Sequence, residues 1–88
     1  MPVAAVVLTL EGEATARQGA LAELARAPWL SLDEAPGPRI PGVLEADSPW
    51  EIEPRFEALR GVPGVLDVEL VAAWLEDGGP AAQAGRNT

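Results

Sequence analysis

Cysteine and histidine are both absent from this chain of 88 residues. Without cysteine there is no disulfide framework and no thiolate metal site. Without histidine the commonest general base and the commonest transition-metal ligand are missing together. Lysine and tyrosine are also absent, and methionine and phenylalanine occur once each. Catalysis would have to run on carboxylates and arginines alone, and the expectation is a protein that is not an enzyme and carries no cofactor. No apolar run reaches the roughly 20 residues needed to span a bilayer.

The charge that is present has one dominant sign. Fourteen acidic residues against six arginines leave a net charge of −8. A small domain so acidic repels phosphate backbones, which argues against nucleic acid as a partner, and it attracts basic peptides. The length suits one domain, and a domain of this size buries only about two-thirds of its unfolded surface. Residues 1–10 are apolar but lack a positive leading region and a cleavage-like site before Glu11, so they read as a strand and not an export signal. That reading keeps the protein in the cytoplasm.

Along the chain, residues 3–10 are rich in β-branched side chains and predict a buried central strand. Residues 13–27 predict a helix with Leu21, Leu24 and Ala25 inward and Arg17, Glu23 and Arg26 in water. Thr15 and Gln18 fit a capping box, and Gly12 fits an alternative start. Pro28 ends the helix, and Leu30 and Leu32 alternate with Ser31 and Asp33 as a short strand. A turn at residues 35–39 leads to a return strand at 40–45, where Pro41-Gly42 calls for a late start or a bulge. Ser48, Pro49 and Glu51 read as cap, first helical residue and box partner. Ile52, Phe56 and Leu59 then form one buried stripe, Gly61 stops that helix, and 62–64 turn the chain. Residues 65–75 alternate as a half-wet strand, and 76–88 read as a disordered tail. Leu21, Leu24 and Pro28 recur with the same spacing as Phe56, Leu59 and Pro63, each set leading into a strand.

Two strand–helix–strand units in series give an α+β, ferredoxin-like βαββαβ domain over residues 1–75, with a four-stranded antiparallel sheet and two helices on one face. The other face has nothing in the chain to cover it. Alternation puts Leu66, Val68 and Leu70 toward the helices and Asp67, Glu69 and Val71 outward. On the first strand Ala4, Val6 and Leu8 face in, and Ala5, Val7 and Thr9 face out. The first and last strands are neighbours in this topology. The candidate peptide-binding surface is therefore Ala5, Val7, Thr9, Asp67, Glu69 and Val71: an apolar patch beside two carboxylates and a hydroxyl. A helix with an apolar stripe and arginines at one end suits it. The plain alternative is that Asp67 and Glu69 are only the wet side of a sheet, or that the patch is a dimer interface. An acid/base role for that pair is disfavoured, because an exposed sheet offers no desolvated pocket to split their pKa values. Trp29, Trp50 and Trp74 read as packing residues. No calcium loop, phosphate loop or other metal motif is present.

The segment Leu59-Arg60-Gly61-Val62-Pro63-Gly64-Val65-Leu66-Asp67-Val68-Glu69-Leu70-Val71 resembles the final turn and strand of NapD-type chaperones. These are assembly proteins of periplasmic nitrate reductase. Residues 33–37 and 45–48, the length and the element order are similar to that family as well, and the resemblance spans roughly residues 3–75. It implies a cytoplasmic protein that binds the twin-arginine signal peptide of a molybdoenzyme as a helix on its open sheet face. It also implies that export is held back until the molybdenum cofactor is inserted. The same six residues would then line the peptide site. Pro41 departs from the regular strand of the family, and Asp67 and Glu69 are more acidic than the small residues expected there. Pairing of these acids with the peptide arginines is a separate hypothesis. Two other functions fit the topology: an ACT-like small-molecule regulatory domain and a structural assembly subunit. A thermal shift with amino acids would mark the first, and concentration-dependent sedimentation the second.

Overall fold

The structure is a computed structural model that describes residues 2–74, so the tail expected at 76–88 lies outside the described residues. The chain runs β1 (Val3–Leu10), α1 (Ala14–Leu24), β2 (Leu30–Leu32), β3 (Arg39–Glu45), a 3-10 turn at Pro49–Glu51 continuing into α2 (Ile52–Arg60), and β4 (Val65–Trp74). The sheet order is β2-β3-β1-β4, with every neighbouring pair antiparallel. This is the ferredoxin-like arrangement expected. Each βαβ unit is split by a strand from the other, which places β1 beside β4.

The period-2 pattern of β1 decides the layers. Ala4, Val6, Leu8 and Leu10 are all essentially inaccessible, and they share one core with Ala20 and Leu24 of α1 and Ile52 and Leu59 of α2. Both helices therefore lie on the same face. Full burial of each leucine in that core contributes about 1.5–3 kcal/mol. Val68 joins it from β4, while Leu66 is 60% exposed and Leu70 51%. The strict alternation expected for β4 is broken by two bulges. Val65 pairs with Leu10 and Asp67 with Thr9, which leaves Leu66 extra, and Leu70 pairs with Val6 and Ala72 with Ala5, which leaves Val71 extra. Each bulge puts two β4 residues opposite one on β1. Two bulges on one edge strand disrupt its outer row of backbone groups and blunt it as a template for further pairing.

Pro41 needs neither a bulge nor a late start. β3 is regular from Arg39 to Glu45, with Ile40, Gly42 and Leu44 inward. The Pro41 carbonyl accepts a hydrogen bond from the Asp33 N–H at 2.9 Å, so its backbone points toward the β2 side. Its nitrogen faces the same side, so the missing N–H forfeits only the reciprocal bond to Asp33, just past the end of the three-residue β2.

Local caps also differ from expectation. α1 is capped by Glu13, whose carboxylate accepts from the Thr15 and Ala16 N–H groups at 3.0 and 2.9 Å. These backbone bonds hold the Glu13 carboxyl below the usual glutamate range. Ser48 makes no side-chain cap bond, and the Glu51 carboxylate instead accepts from the Asp47 N–H. Pro49 does occupy the first turn. Arg17 is not simply solvated. Its guanidinium donates to the Gly37 and Ala35 carbonyls at 2.9 and 3.0 Å, which ties the β2–β3 connection to α1. Ala25 is exposed, and Ala20 takes the inner position beside Leu24. The small residues of α1 admit the turn before β4. Gly64, at φ 92°, lies so close that a Cβ would stand 2.7 Å from the Ala16 carbonyl oxygen and 2.9 Å from the Ala20 Cβ.

Candidate functional site

The odd residues of β1 form the floor of the second face. Directly opposed residues of an antiparallel pair point to the same side. The register therefore gives four rows across the sheet. Val3 lies between Glu45 and Trp74, and Ala5 between Val43 and Ala72. Val7 lies between Pro41 and Glu69, and Thr9 between Arg39 and Asp67. Ser31 extends the Ala5 row through Val43. The centre is small and apolar (Ala5, Val7, Pro41, Val43 and Ala72); Thr9, Arg39, Asp67 and Glu69 lie toward the C-terminal end of β1, and Glu45 lies at the other end. Val3, Ala5, Val7 and Thr9 are half-buried, each shielded by its flanking strands, while Val43 is exposed. Among the described residues, every helix packs on the opposite face.

The surface has the dimensions of one helix. Four strands about 4.8 Å apart make a floor about 14 Å wide, and eight residues of β1 run about 26 Å. A helix about 10 Å across fits that width, and about 17 of its residues fit that length.

Five of the six residues expected at the site, Ala5, Val7, Thr9, Asp67 and Glu69, are brought together on this face. Val71 has no partner on β1. It is the extra residue of the second bulge, its side chain 60% exposed. The β3 contribution was hidden in the sequence by Pro41-Gly42. The spacing of Ile40, Gly42 and Leu44 carries the missing signal, since it puts Arg39, Pro41, Val43 and Glu45 on the other side. Arg39 has a direct consequence. Its Nη2 donates to Glu69 Oε1 at 2.8 Å, diagonally across β1. Glu69 is thus already ion-paired within the chain. The face carries three carboxylates (Glu45, Asp67 and Glu69) against the one guanidinium of Arg39.

No protein-family model matches the chain, and no curated protein matches it. The surface chemistry is therefore what bears on function.

The tryptophans divide. Trp29 is half-buried under the Arg55 guanidinium, 5.4 Å from the ring centroid, and Trp74 is half-buried at the end of β4. Trp50 is not a packing residue, being 78% exposed in the 3-10 turn. A separate concavity of about 660 Å³ opens between α1 and the β2–β3 connection, beside Leu21, Leu32 and Ile40. Its cation, Arg17, is spent on the loop carbonyls. Among the described residues no group of three or more acids is placed to hold a metal ion, and no helix is long and apolar enough to cross a membrane.

Proposed function

We propose that this protein binds a helical, arginine-bearing peptide on its open sheet face and performs no chemistry on it. The observation that carries the reading is the pattern of that face: an apolar centre, uncovered among the described residues, with an excess of carboxylates around it. The apolar stripe of a helix docks over Ala5, Val7 and Val43, and its cationic end lies toward Thr9, Asp67 and Glu69. Burial supplies affinity in proportion to the apolar area removed from water. Charge supplies orientation and a faster encounter.

The resemblance of residues 59–71 to NapD-type chaperones supports a specific ligand, the twin-arginine signal peptide of a molybdoenzyme such as the catalytic subunit of periplasmic nitrate reductase. The mechanism is reversible masking in the cytoplasm. While the leader lies on the sheet it is withheld from export, and it is released once the client has its cofactor.

Titration with a synthetic twin-arginine leader peptide, followed by backbone amide shifts, tests this. The expected shifts map to Ala5, Val7, Thr9, Val43, Asp67 and Glu69. Affinity should fall as salt is raised from about 0.1 M to 1 M, because the screening length shrinks from about 10 Å to about 3 Å. Shifts confined to the helices, or none at saturating peptide, would remove the proposal.

A further inference from the structure

The Arg39–Glu69 pair lies over the floor of the proposed site. It spans β1 from β3 to β4, above Val7 and Thr9, and both side chains are more than half exposed. A single contact joins them, Nη2 to Oε1, and not a two-pronged fork. Exposed pairs of this kind are held weakly, because solvent screens them and two long side chains must be ordered. They are readily exchanged for a partner with the same chemistry. Arg39 also supplies the only positive charge in the four rows of this face.

We infer that Arg39 is an internal competitor for the cation of the bound peptide, held on Glu69 until the guest's guanidinium displaces it. The inference rests on the peptide-binding reading. In the free protein, Arg39 neutralises Glu69 and repels other cations from this end of the sheet. When a guest arginine takes Glu69, Arg39 swings to solvent from the first position of β3. Weak cationic sequences are then rejected, because they must pay for breaking the pair. A guest whose apolar stripe also docks has that cost offset. Asp67, which has no ion-pair partner among the described residues, remains open for a second guest cation.

The experiment compares wild type with Arg39→Gln, Glu69→Gln and Arg60→Gln, titrated with the same twin-arginine peptide at fixed low salt. Arg60 lies at the end of α2, on the helical side, next to Glu57. Its loss changes net charge by the same amount as the loss of Arg39, without touching the face. Arg39→Gln is expected to bind two- to fivefold more tightly than Arg60→Gln, up to about 1 kcal/mol. Glu69→Gln is expected to bind severalfold more weakly than wild type. Equal affinities for Arg39→Gln and Arg60→Gln, or unchanged binding by Glu69→Gln, would overturn the competitor role while leaving the peptide face intact. Absence of binding by wild type and every variant would instead overturn the proposed function, and this inference with it. Thermal melts of all four proteins check that each is folded.

Discussion

Gly64→Ala is the perturbation for which the structure gives the sharpest magnitude. Gly64 has φ 92°, outside the region an alanine adopts without strain. Holding a residue with a Cβ in left-handed backbone costs about 1–2 kcal/mol. The added methyl would also meet the Ala16 carbonyl oxygen at 2.7 Å and the Ala20 Cβ at 2.9 Å. Neither is the tip of a flexible side chain, so relief requires moving α1 away from the turn. Overpacking of this kind costs about 1–3 kcal/mol. The two terms together come to about 2–5 kcal/mol, against a total stability of about 4–13 kcal/mol for a chain of this length. At about 4–8 °C per kcal/mol, the melting temperature should fall by at least about 8 °C. Gly19→Ala is the companion variant. It lies within α1, and a Cβ there meets nothing within 4 Å. It should stabilise the protein by about 0.5–1 kcal/mol, the helical advantage of alanine over glycine. Circular dichroism melts of both variants give the answer. A fall of less than about 3 °C for Gly64→Ala would refute the packing of the turn on α1.

Two further outcomes follow from the local bonds. Arg17→Met keeps the side-chain stem but loses both bonds to the β2–β3 connection. It should cost about 1–3 kcal/mol in urea denaturation and shift the amides of residues 33–39, and an unchanged midpoint would show that the tether is idle. Glu13 has a lowered folded pKa from its backbone bonds at the start of α1. Its contribution is therefore present above the unfolded glutamate value and is lost as pH falls through the lower folded value. Carbon-detected titration of the Glu13 carboxyl should give a midpoint below that of an unstructured glutamate, with the Thr15 and Ala16 amides following the same curve. A midpoint at or above that value would exclude the cap.

Much of the candidate site was legible because β1 speaks in period 2. Ala5, Val7 and Thr9 alternate with Ala4, Val6 and Leu8, and one buried side implies one open side. Asp67 and Glu69 were legible for the same reason, since polar residues at i and i+2 on an apolar strand mark its wet face. β4 as a whole was not, because a bulge is a relation between two strands. Nothing within residues 65–74 announces that Leu66 and Val71 lack partners. The role of Arg39 was hidden in the same way, being far from Glu69 in sequence and joined to it only across β1.

Local sequence pattern sets the order of the elements, their approximate limits and the side of β1 that is buried. Those features depend on local propensity and on a repeat that neighbouring residues carry. Tertiary structure alone decided which carboxylate Arg39 pairs with, how Pro41 is tolerated inside a sheet, and why Gly64 must be glycine. Each of those is set by an atom from a distant segment arriving within about 3 Å, and distances of that kind exist only once the strands have found their register.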